Sequence, residues 1–390
     1  MIDLTLIGCF AALALAIGLY ALSLPQGGAS WWALAALSVA LVIAGQAAGP
    51  SWGGAMCLDL AELAAVALVW TQGTSAAASA ARRYLWAIGP AIVCTVAGQA
   101  LVGQGVTPPA PPADNLAVCL LLLGFALKLG LIPFYLWLPA VAAAAAPMTT
   151  ALIVSIVDIA TFAELAELRR AAPWVFNDHA AIWMAIALLS MVGGALLALA
   201  QGELKRMLAF STIADLGLLL TGLVAGGPVG LAGAQIGALN HALSKVILFG
   251  AVGLAERQIG QTVTLDTRGL AARLPLAGAA FVTGALGFIG VPPGFGFVGY
   301  WRLYVSGAQY GGPALIAALF LVAALDLLCY ARAIHRVWLG PAQVAVSGTP
   351  APLAQATLTV LAVGAVLLGL YPGVFTTANA VFGFAVAMIR

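Results

Sequence analysis

Lys128 lies in the middle of an apolar run, LLLLGFALKLGLIPFYLWL (residues 120–138), that is long enough to cross a membrane. A lysine at the centre of a transmembrane helix costs about 2.5–3.5 kcal/mol even on a lenient insertion scale. Such a residue normally faces a water-filled cavity or a charged partner, and it marks a functional site. Gly130 and Pro133 follow and interrupt helical hydrogen bonding beside the charge. A charge next to an unwound segment at membrane depth predicts an ion site and ion movement through a membrane.

Ionisable side chains recur inside the other apolar runs, about one to a helix. Besides Lys128, the set comprises Glu62, Asp158, Asp215, His241, Lys245, Arg302 and Asp326. A structural ion pair needs only two such helices, whereas acids and bases spread over many helices at similar depth are typical of proton relays. Burial disfavours the charged form of a lysine and a nearby carboxylate favours it, so moving a carboxylate loads or unloads the lysine. The alternative, that each charge only fixes helix packing, stays open here.

The composition places the chain among membrane proteins. Of 390 residues, 63% are hydrophobic and 7% are charged, which is far outside the range of soluble domains. Apolar runs long enough to cross a hydrocarbon core of roughly 30 Å recur along the whole length. We predict an all-α polytopic membrane protein with about twelve transmembrane helices, at residues 2–24, 31–49, 55–72, 84–103, 116–138, 147–168, 180–200, 207–225, 230–254, 276–306, 313–336 and 352–372.

The two ends of the chain carry further expectations. The apolar segment 374–389 is short for a full span, so we expect it to lie along the membrane surface or to re-enter it. The first residues, MIDLTLIG, contain an acid and no basic segment, which argues against a cleaved signal peptide.

The basic residues predict the orientation in the membrane, because cytoplasmic loops are rich in lysine and arginine. Nine of them fall on one side of the predicted spans: Arg82, Arg83, Lys205, Arg206, Arg257, Arg268, Arg273, Arg332 and Arg336. This places the N-terminus and the proline-rich loop 107–114 on the outer side of what we expect to be a bacterial inner membrane. Arg169 and Arg170 are exceptions to this pattern.

Several classes of site find no support in the sequence. The five cysteines are scattered singly and form no CxxC pair, so neither an iron–sulfur cluster nor a zinc site is expected. No glycine-rich phosphate loop precedes a helix, and no basic stripe indicates nucleic-acid binding. We therefore expect no metal and no cofactor in this chain.

The sequence contains two similar halves. VSIVDIATF (154–162) and VAALDLLCY (322–330) each place one aspartate centrally in an apolar helix. Each follows a segment interrupted by glycine and proline, the second of which contains Pro292 and Pro293. Since five is odd, consecutive five-helix units have opposite orientations, and inverted repeats with broken helices are typical of transporters. The predicted organisation is an N-terminal helix (1–30), two five-helix repeats (31–168 and 180–336) and C-terminal helices (352–390).

Four motifs occur in a fixed order: LKLGLIPFYLWLPAVAAAAAP (127–147), QGELKRMLAFSTIADLG (201–217), LNHALSKVILFGAVG (239–253) and GVPPGFGFVGYW (290–301). They resemble the two broken helices, the Q-x-D-L-K-R segment and the H-A-x-x-K segment of the antiporter-like membrane subunits of respiratory complex I. Relatives of those subunits occur in membrane-bound hydrogenases, formate hydrogenlyases and multi-subunit sodium/proton antiporters. The resemblance implies that Glu62 pairs with Lys128 and that Lys245, with His241, forms the centre of a proton relay.

The sequence departs from the family at three relay positions. Asp158 stands where the family has another lysine, and Tyr300 stands where it has a terminal lysine or glutamate. Tyr135 replaces a histidine beside the first break. We expect Asp158 to pair with a relay lysine and hand a proton on. Asp215, Tyr300, Arg302 and Asp326 form a second group with a relay or a structural role, in which we expect Arg302 to be the partner of Asp326.

Three functions stay open at this point. The first is a proton-translocating subunit of a complex I-like or hydrogenase-like redox complex, in which partner subunits carry the electron transfer. The second is a subunit of a sodium/proton antiporter driven by ion gradients. The third is a scaffold that has lost pumping. All three imply other membrane and peripheral subunits as partners, together with protons or sodium and the lipid bilayer.

Overall fold

The computed structural model describes residues 4–24, 26–103, 108–109, 112–341, 348 and 351–371. This part of the chain consists of helices joined by turns and loops, with one isolated β-bridge between Glu203 and Thr264. The α-helices are α1 (Leu4–Ser23), α2 (Ala29–Ala48), α3 (Trp52–Trp70), α4 (Ser75–Val102), α5 (Ala113–Lys128), α6 (Trp137–Ala144), α7 (Pro147–Leu152), α8 (Asp158–Ala171), α9 (Trp174–Asn177), α10 (Ala180–Ala200), α11 (Leu204–Ala225), α12 (Gly227–Ile259), α13 (Pro275–Ile289), α14 (Gly296–Ala333) and α15 (Pro352–Leu370). Short π-helices join α7 to α8 (Ile153–Val157) and extend α14 (Ile334–Trp338), and a 3₁₀ turn covers Leu270–Ala272.

Nine helices in the described part of the chain are long and apolar enough to cross a membrane: α1, α2, α3, α4, α10, α11, α12, α14 with its π-helical extension, and α15. The prediction of an all-α polytopic membrane protein is confirmed. The count of twelve spans, the four-part organisation and the inverted repeats stay predictions. The segment 374–389 and residues 107, 110 and 111 of the loop 107–114 lie outside the described residues.

Two helices form the centre of the bundle. In α11 the whole of the apolar window is buried, and in α12 the buried share is 83%, against 33% in α1 and 22% in α15. A helix that is buried on all sides is shielded from lipid by its neighbours. Polar side chains on α11 and α12 therefore lie in the protein interior, where each needs a hydrogen-bond partner.

Two helices are broken at membrane depth. Between α5 and α6, Gly130 adopts a φ of +59°, and the indole of Trp137 donates a hydrogen bond to the Leu127 carbonyl at 3.1 Å. Between α13 and α14, Gly290 adopts a φ of +81°, and a Cβ there would lie 2.5 Å from the Tyr300 ring. Positive φ values favour glycine because it has no Cβ. Pro133 lies in the first break, and Pro292 and Pro293 lie in the second.

One predicted boundary was wrong. We expected a span at 84–103 preceded by a loop containing Arg82 and Arg83, but α4 begins at Ser75 and both arginines are exposed on it. Thr74 caps this helix, since its hydroxyl accepts a hydrogen bond from the Ala77 amide at 3.0 Å. The first residues of α4 contain serine and two arginines, which lower the mean hydropathy of this segment but do not interrupt the helix.

Arg169, an exception to the charge pattern, has a structural role. Its guanidinium donates hydrogen bonds to the carbonyls of Leu223 and Pro173 and to the side chain of Asn177. Carbonyls near helix ends lack intrahelical donors, so an arginine stabilises them. These contacts also place the ends of α8 and α11 at the same face of the bundle.

Candidate functional site

Lys128 lies at the end of α5, immediately before the first break, and its side chain is fully buried. Its ammonium donates a hydrogen bond to the Asp59 carboxylate at 2.5 Å. The same nitrogen lies 3.6 Å from Glu62 Oε1 and 3.8 Å from Glu164 Oε2. Three carboxylates from α3 and α8 therefore surround a single lysine, and we call these four residues the lysine–carboxylate cluster.

Neutral side chains hold two of these carboxylates in place. Thr161 donates its hydroxyl to Glu62 Oε1 at 2.7 Å, and Gln99 donates its amide to Glu164 Oε1 at 2.8 Å. The other oxygens, Glu62 Oε2 and Glu164 Oε2, are buried without a hydrogen-bond partner. Each of these carboxylates is thus oriented through one oxygen while the other is free to exchange a proton.

A second network joins α11, α12 and α14. Asp215 Oδ2 lies 2.6 Å from His241 Nδ1, and Asp215 Oδ1 accepts the Tyr300 hydroxyl at 2.7 Å. Asn240 contacts the same hydroxyl at 3.5 Å. Because one carboxylate oxygen is committed to each partner, Asp215 fixes the position of both the histidine and the tyrosine. His241 Nε2 remains buried with no hydrogen-bond partner.

Lys245 lies one helical turn from His241. Its ammonium donates to the Leu208 carbonyl at 2.8 Å and to the Ser211 hydroxyl at 2.7 Å. It also lies 4.0 Å above the ring of Phe288, close to the second break. Ser211 and Asp215 are four residues apart on α11, as His241 and Lys245 are on α12. The Lys245–Ser211 and His241–Asp215 contacts therefore lie one helical turn apart along the interface between the two helices.

Comparison with known proteins shows the family to which the chain belongs. The family model described as the transmembrane region of NADH:quinone oxidoreductase and Mrp antiporters matches residues 108–325, more than half of the chain. The chain belongs to this family. The match includes both broken helices, Lys128 and Lys245, whereas Asp59 and Glu62 lie before it.

Individual relatives share part of the sequence of this chain, and solved structures share its fold. NADH-quinone oxidoreductase subunit N 3 of Streptomyces griseus is 30% identical over 260 residues, which cover 66% of this chain and 47% of that protein. The chain thus spans about half the length of that relative. A chain of respiratory complex I from Thermus thermophilus with bound aureothin superposes with a TM-score of 0.80 at 26% identity, covering 94% of this chain and 84% of that one. A chain of the Mrp complex from Dietzia sp. DQ12-45-1b shares the fold, with a TM-score of 0.86 at 21% identity and coverage of 95% and 80%.

The structure brings five of the residues that the sequence singled out together in two groups. Glu62 and Lys128 lie in the first cluster, and Asp215, His241 and Tyr300 lie in the second network. Sequence reasoning missed two close partners of Lys128. Asp59 lies three residues before Glu62 in an apolar helix, a spacing that places both on one face, so this signal was available. Glu164 was missed because it lies in a charged helix end, AELAELRR (163–170).

Two expected pairings are absent from the described part of the chain. Arg302 donates to the Val298 carbonyl on its own helix at 2.7 Å and forms no ion pair with Asp326. Since residues two apart on a helix point in different directions, Arg302 cannot take the place of Tyr300. Asp158 forms no ion pair with a lysine, and its Oδ2 is buried without a partner within electrostatic range of Glu62.

The described residues offer no group of His, Cys, Asp or Glu side chains arranged to hold a metal ion. Asp326 is also buried, with Oδ1 unpartnered and within electrostatic range of Lys245. The buried lysines, carboxylates and imidazole of this arrangement can accept and release protons.

Proposed function

We propose that this chain is a proton-translocating, antiporter-like membrane subunit of a redox complex related to complex I or to membrane-bound hydrogenases. The observation that carries the proposal is the burial of Lys128 among Asp59, Glu62 and Glu164 beside a broken helix. Ionisable groups at membrane depth are expensive and mark ion pathways. Membership of the family supports the same function.

The proposed mechanism uses the two side-chain groups in turn. Lys128 holds a proton while the carboxylates around it are ionised, and it releases the proton when one of them is neutralised or moves. Lys245 and His241 form the centre of the relay. Asp215 binds Nδ1 of the His241 imidazole and so leaves Nε2 to accept or donate the transported proton. The hydrogen bond that one ring nitrogen of a histidine makes determines the tautomer, and therefore which nitrogen can transfer a proton.

Chains of multi-subunit complexes share the fold of this chain, which supports other membrane and peripheral subunits as its partners. Electron transfer is assigned to other membrane and peripheral subunits, and the transported ion is the proton. We place the chain in the bacterial inner membrane with its N-terminus outside, on the basis of the basic residues.

A second candidate function is sodium/proton exchange, which the family description and the likeness of fold to an Mrp chain favour. Inverted membrane vesicles with and without this chain separate the two. We expect an electron donor to acidify the vesicle lumen in a manner that depends on this chain and needs no sodium. Collapse of an imposed proton gradient by added sodium, with no electron donor, would instead support the antiporter. Flavin and iron–sulfur subunits that co-purify with the chain would support the redox complex.

The paired aspartates provide a prediction within the proposed mechanism. We expect Asp158→Asn to lower the pumping rate by roughly tenfold, as loss of a positioned proton acceptor would, and Asp326→Asn to lower it less. Asp158 is buried with an unpartnered oxygen within electrostatic range of Glu62, whereas Asp326 is buried within electrostatic range of Lys245. The rates are compared in inverted vesicles at equal protein level. Wild-type rates in both variants would remove both residues from the relay and favour the scaffold.

A further inference from the structure

Polar side chains occur at every third residue of α8, from the start of the helix inside the bundle toward the C-terminal end of the helix. Asp158, Thr161, Glu164 and Glu167 occupy these positions. Residues three apart on a helix are neighbours, and nine residues span about 13 Å along the axis. Exposure rises along the series: Asp158 is 2% exposed, whereas the side chains of Glu164 and Glu167 are 11% and 40% exposed.

Glu164 is the residue of this series that belongs to the lysine–carboxylate cluster. Its Oε2 lies 3.8 Å from the Lys128 ammonium, and its Oε1 accepts from Gln99. Oε2 has no hydrogen bond, so this oxygen is the one available to take a proton from the lysine. Among the three carboxylates around Lys128, that of Glu164 is the most exposed.

The series leads to one particular face of the bundle. Gln99 lies three residues before the end of α4, and Arg169 ties the end of α8 to the end of α11. By the distribution of basic residues, this face is the outer one.

We propose that Glu164 is the proton-transfer residue through which Lys128 exchanges protons with water at the outer face. An N–H bond of the Lys128 ammonium breaks as an O–H bond forms at Glu164 Oε2, which leaves a neutral amine and a neutral carboxyl. The carboxyl then gives its proton to water near Glu167, and the Gln99 hydrogen bond holds the other oxygen in place throughout. This inference rests on the proposed pumping function, and no oxidant or reductant takes part in the step.

The first test compares Glu164→Gln with Asp178→Asn in the intact complex in vesicles. Glutamine keeps an acceptor for Gln99 but cannot take a proton, so we expect pumping to fall on the order of a hundredfold. Asp178 is an exposed residue at the same face and lies outside the series, so this control should pump at the wild-type rate. Wild-type pumping by Glu164→Gln would overturn the proposal.

The second test asks whether water reaches this position from the outer face. Glu164→Cys and Thr161→Cys are each introduced after replacement of the five native cysteines. A membrane-impermeant thiol reagent should modify the cysteine at 164 from the outer face and leave the deeper one at 161 unmodified. Modification of the cysteine at 164 from the cytoplasmic face alone, or from neither face, would overturn the proposal.

The two proposals fail in different ways. If Lys128→Ala stops pumping while Glu164→Gln does not, the outward route is wrong and the pumping function stands. If Lys128→Ala pumps at the wild-type rate, the pumping function itself is wrong. A cysteine at 164 that is modified from the outer face would still establish a water-accessible carboxylate beside Lys128, whatever the pumping result for Lys128→Ala.

Discussion

Lys128→Ala should lower proton pumping by at least about tenfold while the complex still assembles, because a barrier increase of about 1.4 kcal/mol suffices for that effect. The substitution leaves Asp59, Glu62 and Glu164 buried without their shared cation. Removing one partner of a buried ion pair costs about 3–5 kcal/mol. The measurement is the initial rate of lumen acidification in inverted vesicles, normalised to the amount of assembled complex.

Two further variants make the Lys128 result specific. Lys128→Arg should also pump poorly, since a guanidinium does not deprotonate in proteins and so cannot pass a proton on. Arg83→Ala removes a charge from an exposed position on α4 and should pump normally. Wild-type pumping by Lys128→Ala at normal protein level would mean that the cluster serves packing only.

Asp215→Ala should both destabilise the protein and stop pumping. It leaves His241 Nδ1 and the Tyr300 hydroxyl buried without their shared acceptor. Each unsatisfied group costs about 1–3 kcal/mol, so the free energy of unfolding should fall by roughly 2–6 kcal/mol. The midpoint of thermal unfolding of the purified complex and the pumping rate are measured together.

The matched control for Asp215 is Asp266→Asn, an exposed aspartate in the loop after α12. Surface substitutions of this kind usually change stability by less than about 0.5 kcal/mol. Tyr300→Phe should lie between the two, since it removes one of the two hydrogen bonds to Asp215 and leaves the other. An Asp215→Ala protein as stable and active as the control would contradict the role assigned to this network.

The sequence predicted the membrane fold and the central residues because charges in apolar runs are conspicuous. Lys128, Glu62 and Lys245 stand out against their neighbours, and glycine with proline marks both breaks. What could not be read from the sequence was which helices meet. The contact between Asp215 and Tyr300 joins α11 to α14 across 85 positions, and no local pattern specifies it.

The errors have equally physical causes. Pairing Arg302 with Asp326 assumed that a nearby charge replaces a missing one, whereas helix geometry turns residues 300 and 302 to different sides. Asp59 was overlooked although it lies one turn from Glu62, because a single acid per helix was expected. The structure makes it the closest partner of Lys128, at 2.5 Å. The start of α4 was misplaced because hydropathy, and not the Thr74 cap, was used to find it.

The central claim is that this chain itself carries protons when partner subunits transfer electrons. It is tested most directly by the number of protons pumped per electron pair, measured with the purified complex in liposomes for the wild type and for Lys128→Ala. We expect the variant to oxidise its electron donor at a comparable rate when the gradient is dissipated, and to pump fewer protons per electron pair. An unchanged ratio, with the variant chain present in the complex, would contradict the claim.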